Sequence, residues 1–86
     1  MPQNLKLENK TLSWEDANGK DGQRTAYFVV YAFPINEEVD FDNPKYIIAR
    51  TQDKQIKLNI DPTQYRLAVT SINHYKQESI PCCLEN

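Results

Sequence analysis

IDPTQYRLAVTSINHYKQESIP, residues Ile60 to Pro81, is the stretch that decides the fold. Pro62 suits a turn because its ring fixes φ near −65° and removes a donor. Alternation begins at Tyr65, with Tyr65, Leu67, Val69 and Ser71 on one face of a strand. A polar loop from Asn73 follows, and Glu78-Ser79-Ile80-Pro81 opens a last strand. A proline turn, a long alternating strand, a tight polar loop and a short closing strand together describe the end of an antiparallel β domain.

The same period of two runs outward through the rest of the chain, and the helical period is absent nearly everywhere. Leu5 and Leu7 alternate in a short first strand that Asn9-Lys10 turns. Thr11-Leu12-Ser13-Trp14 follows, with Leu12 and Trp14 on one side. Glu15 to Gln23 is polar, holds Gly19 and Gly22, and reads as a loop. Ala26 to Phe33 is aromatic and β-branched almost throughout and is the strongest strand signal, closed by Pro34. An acidic connection runs to Pro44, and Tyr46-Ile47-Ile48-Ala49 is a further short strand. Thr51 to Lys54 turns the chain into Gln55–Ile60, where Ile56, Leu58 and Ile60 share a side. The last strands are Tyr65–Asn73 and Ser79–Leu84. Seven strands spaced by about 8–12 residues predict an all-β fold, an antiparallel sandwich.

Size and composition limit the rest. Eighty-six residues make one small domain, 1–86, whose stability is about 4–13 kcal/mol. With 40% hydrophobic and 26% charged residues the chain is globular, not disordered. A net charge of −2 and scattered Lys and Arg give nothing that attracts nucleic acid or an anionic membrane. No apolar run approaches the roughly 20 residues of a membrane span. Met1-Pro2-Gln3-Asn4 leads into a strand pattern at once, without a signal peptide, so the chain reads as a piece of a longer protein. Cys82 and Cys83 are neighbours, about 3.8 Å apart at Cα against the usual 4.4–6.8 Å of a disulfide, and on a strand they point to opposite faces. Two unbridged thiols are expected.

Trp14 at the end of the second strand, the Tyr27/Val29/Tyr31 alternation in the third, Pro62 and Tyr65 at the turn, and Glu78-Ser79-Ile80-Pro81 are together similar to fibronectin type III domains. The similarity covers nearly the whole chain in order. It departs in lacking a glycine in Asn73–Glu78, which puts that loop's conformation in question. The resemblance implies an immunoglobulin-like sandwich with fibronectin type III topology. It also implies a tyrosine corner, with the Tyr65 hydroxyl bonded to backbone near Ile60 to Pro62. Tyr27–Thr51, YFVVYAFPINEEVDFDNPKYIIART, more narrowly resembles the C-terminal β-sandwich of secreted bacterial glycoside-hydrolase-like lipoproteins, which follows a (β/α)8 barrel. That likeness implies export to the periplasm, cell surface or medium. It implies a non-catalytic accessory role beside an upstream catalytic domain of the same chain, with polysaccharide as a possible partner.

The residues themselves give little chemistry. Glu37, Glu38, Asp40 and Asp42 are close enough in sequence to mimic a glycosidase pair, but such a pair needs one carboxyl in a cleft that raises its pKa. Asp40, Asp42 and Asn43 are calcium-type donors without the central glycine or terminal glutamate of an EF-hand. His74 with Cys82 and Cys83 lacks the paired spacing of a zinc site. No cofactor, metal or catalytic residue is assigned. A sugar platform would need exposed rings, for which Phe28, Tyr46 and Tyr75 are the candidates once Trp14 is placed in the core. An adhesion-type module would instead work through the Asn73–Glu78 loop.

Trp14 is expected between the sheets, surrounded by Tyr27, Val29, Tyr31, Ile56, Leu58, Leu67 and Val69. That phase sends Phe28, Val30 and Ala32 outward, beside Ala68, Thr70 and Ile72 of the neighbouring strand. These six form the expected interface, an apolar patch that docks on another domain or on a second copy. The competing expectation is a hydrophobic strand pair that is tolerated on the surface or covered by the acidic segment from Ile35.

Overall fold

The structure, a computed structural model, describes residues 2–16 and 25–84. It is an all-β sandwich of two antiparallel sheets. The strands are β1 (Pro2–Glu8), β2 (Thr11–Asp16), β3 (Thr25–Pro34), β4 (Ile47–Thr51), β5 (Gln55–Lys57), β6 (Tyr65–Asn73) and β7 (Cys82–Cys83). One sheet has the order β1-β2-β5 and the other β4-β3-β6-β7.

Local chemistry sets the turns. Asn9 and Lys10, both with positive φ (48° and 65°), join β1 to β2 as a two-residue turn of the primed kind, whose twist matches the strands it connects. Asp61 caps a 3-10 turn over Pro62–Gln64, its carboxylate accepting from the Thr63 N–H at 3.0 Å and the Thr63 hydroxyl at 2.7 Å. Those bonds hold the Asp61 carboxyl below its ordinary range. Asn43 does the same for Pro44–Tyr46, accepting from the Lys45 N–H at 3.1 Å. In both, proline occupies the position that has no donor to lose.

β6 keeps its expected bounds, and several other elements differ. β3 runs through Pro34, which pairs with Tyr65 at the strand's end, where the missing N–H is tolerated. β5 is only three residues long, because Leu58 leaves the β2 ladder and donates to the Lys10 carbonyl at 2.7 Å. β7 is reduced to Cys82 and Cys83, preceded by a lone bridge between Ile72 and Glu78. Of the polar loop expected over Glu15 to Gln23, Glu15 and Asp16 belong to β2, and the remainder, with Gly19 and Gly22, lies outside the described residues.

The sheets enclose Leu12, Trp14 and Leu58 from one side and Phe28, Val30, Ala32, Leu67 and Val69 from the other. Trp14 is buried and meets Phe28 edge-on, with ring centroids 5.4 Å apart. The expected phase of β3 is therefore reversed: Phe28, Val30 and Ala32 face the core, and Val29, Tyr31 and Phe33 face away from it. Register is the cause. Val30 lies opposite Val69 and Ala32 opposite Leu67, and directly opposed residues share a face. Once Leu67 and Val69 point inward, Val30 and Ala32 must do so too.

Candidate functional site

The outer face of β3 and β6 was the expected interface, and it is closed by the chain itself. Val29, Tyr31, Phe33, Ala68 and Ile72 form a second buried cluster there, with Tyr27, Phe41, Tyr46 and Ile47 packed on it. The Phe41 ring meets Tyr31 at 5.0 Å and Phe33 at 4.9 Å between centroids, both edge-on, and Tyr46 lies 5.1 Å from Phe33. Four aromatic rings at these spacings give offset and T-shaped contacts of about 0.5–1.5 kcal/mol each beyond area burial. Of the six interface residues, Phe28, Val30 and Ala32 are between the sheets. Ala68, Thr70 and Ile72 are on the outer face but at most 9% exposed. None of the six is available to a partner as the chain stands.

The acidic connection that supplies this cover is held by its own polar groups. Asp40 accepts from the Asp42 N–H at 3.0 Å, and Glu37 accepts from the Tyr46 hydroxyl at 3.1 Å. Lys45 Nζ stands 4.0 Å from Glu37 and 4.9 Å from the Tyr46 ring centroid. Ile35 donates to the Gln64 carbonyl at 3.2 Å, tying the segment to the turn before β6. Glu37, Glu38, Asp40 and Asp42 are exposed carboxylates on this cover, not a pair in a cleft. Among the described residues no group of three His, Cys, Asp or Glu side chains is placed to hold a metal ion.

The loop between β6 and β7 has the opposite character, with a fixed backbone and exposed side chains. Asn73 Oδ1 accepts from the N–H of Tyr75 at 2.9 Å and of Gln77 at 3.0 Å. The Asn73 N–H donates to the Gln77 carbonyl at 3.1 Å, and Lys76 returns a bond to the Asn73 carbonyl at 3.0 Å. Lys76 takes the left-handed conformation (φ 62°) that favours glycine. Below the tip, Glu78 Oε2 accepts from the Tyr31 hydroxyl at 2.5 Å and from the Thr70 hydroxyl at 2.7 Å. Ser79 donates its N–H to the Ser71 carbonyl at 2.8 Å and accepts the Ser71 N–H on its hydroxyl at 2.9 Å. From this anchored segment Tyr75 and Ile80 project 71% and 72% exposed, the most exposed large hydrophobic side chains described.

Other expected site residues separate. Phe28 is buried and Tyr46 half-buried, so Tyr75 alone of the three candidate rings stands open, and a coplanar platform is not formed. Cys82 is half-buried and Cys83 exposed, with no disulfide. The tyrosine corner is absent: the Tyr65 hydroxyl bonds no described residue, and it is the Tyr65 N–H that closes the turn on the Pro62 carbonyl. Two roles escaped sequence reasoning. Phe41, one ring between Asp40 and Asp42, carried a readable signal, since an aromatic within an acidic run needs a surface to cover. Glu78 carried none, because its partners are fixed by the register of β6 against the closing segment.

No protein-family model, curated protein or solved structure gives a significant match to the chain. Among the described residues no helix is long and apolar enough to cross a membrane.

Proposed function

We propose that the chain is a non-catalytic fibronectin type III module, an accessory or spacer domain of an exported glycoside-hydrolase-like protein that packs on or orients an upstream catalytic barrel. The strand order supports the topology. Constant-type immunoglobulin domains keep the fourth strand with the first, second and fifth, whereas β4 here lies beside β3. The observation that carries the contact role is the anchored β6–β7 loop. Its backbone is fixed by Asn73, Glu78 and Ser79, and it presents Tyr75 and Ile80 to solvent. A rigid aromatic on a pre-ordered loop loses little entropy on binding, and aromatic anchors dominate contact energetics. The docking surface is then this loop and not the outer face of β3 and β6. The parent's class and its export rest on the resemblance of Tyr27–Thr51 alone.

The same loop favours a second reading, an adhesion-type interaction module that binds a separate protein. Limited proteolysis of the full-length parent, with Tyr75→Ser and Ile80→Ser compared with wild type, separates the two. The accessory reading expects faster cleavage of the junction in the variants. An unchanged junction, or hydrolysis of glycosides by the 86-residue chain alone, would contradict it. Polysaccharide retention abolished by Tyr75→Ser would instead favour a carbohydrate-binding module.

A further inference from the structure

β4 and β5 are the end strands of opposite sheets on the same side of the sandwich, and the gap between them is open. A slot of about 490 Å³ runs along it, floored by Ala49, Ile56, Leu58 and Ile60. It shares Ile48 and Ile60 with a second recess of about 330 Å³ that reaches Pro34 and Tyr65. Ile48 sits where the β3–β4 register slips by a residue, and it is 41% exposed at the junction of the two recesses. Among the described residues no strand lies beside the outer edge of β4, which leaves its backbone donors and acceptors on that side for pairing.

We propose that β4 is a strand-addition site, and that its occupant is an extended segment of another polypeptide in which an acidic residue is flanked by apolar ones. The register specifies that pattern. Arg50 lies opposite Val29, which faces the outer aromatic cluster, so Arg50 points to the outer face. A residue added directly opposite Arg50 lies on that same face, within reach of the guanidinium. Its two neighbours, opposite Ala49 and Thr51, point inward and cover Ile56, Leu58 and Ile60. Main-chain pairing supplies affinity and the alternate side chains supply selectivity. Charge complementarity sets the sign. Arg50 and Lys57 line the slot and no carboxylate does; on the outer face Arg50 stands near the Tyr31 phenol and forms no ion pair with a described residue. The inference goes beyond the accessory-domain reading and does not depend on the nature of the parent.

The test is amide chemical-shift mapping of the 86-residue protein with two synthetic probes, Ser-Val-Asp-Val-Asp-Val-Ser and the same peptide with lysine for aspartate. The acidic probe should perturb the amides of residues 48–51 and 56–60, and the lysine probe should not. Arg50→Glu, an exposed change that leaves the core intact, should weaken the acidic probe at least about tenfold and admit the lysine probe. Ile48→Lys should weaken the acidic probe as well. Equal response to the two probes, no response to the acidic one at millimolar concentration, or perturbation confined to residues 74–80 would overturn the proposal. So would sedimentation showing that a second copy fills the slot, through the acidic segment in which Ile35 and Val39 are exposed.

Discussion

The Tyr31 hydroxyl donates a 2.5 Å hydrogen bond to Glu78 Oε2 across 47 residues of chain. Thr70 donates to the same oxygen at 2.7 Å, so one carboxylate ties β3, β6 and the closing segment together on the outer face. Removing the phenol leaves a charged acceptor with one partner fewer. Tyr31→Phe should lower stability by about 1–2 kcal/mol, read from urea midpoints at constant slope. No change would mean that solvent replaces this bond without loss.

The same contact predicts a pH dependence. Burial, and then the hydrogen bond to Glu78, push the Tyr31 phenol from 10.0 up to about 12. A folded value above the unfolded one means that the fold holds the proton more tightly. The contribution is therefore complete below pH 10.0 and is lost as pH rises through about 12. Ultraviolet titration should show a tyrosine ionising near pH 12, a step that Tyr31→Phe removes. A titration curve that Tyr31→Phe leaves unchanged in this range would contradict it.

Phe28 is a core residue edge-on to Trp14, so Phe28→Ala should cost about 3–5 kcal/mol. Phe41 covers the outer face from a half-buried position, so Phe41→Ala should cost about 1.5–3 kcal/mol and increase binding of a hydrophobic dye. A larger loss at Phe41 than at Phe28 would show that the faces of β3 have been exchanged.

Tyr65→Phe should change stability by no more than about 0.5 kcal/mol, because its hydroxyl bonds no described residue. A loss above about 1 kcal/mol would restore the tyrosine corner. The turn itself depends on Asp61, whose bonds to Thr63 cap the 3-10 segment. Asp61→Ala should therefore lower stability more than Tyr65→Phe does.

The strands were legible in the sequence and one phase was not. Leu12/Trp14 and Leu67/Val69 each alternate with polar or small residues, and both pairs face the core as expected. From Tyr27 to Phe33 every residue is apolar or aromatic, so alternation offers two equivalent phases, and a strand buried on both faces has this composition. Only the pairing of β3 with β6 selects between them. The expected interface followed from the wrong phase, so half of it fell into the core. Of the other half, Ala68 and Ile72 belong to the outer cluster on which Phe41, hidden in an acidic run, packs, and Thr70 bonds Glu78.

Nuclear Overhauser contacts of the Phe28 and Phe33 rings report directly on the facing of β3. Phe28 should contact Trp14, and Phe33 should contact Phe41 and Tyr46. Contacts of Phe28 with Phe41, or of Phe33 with Trp14, would contradict the face assignment and would return Phe28, Val30 and Ala32 to the surface.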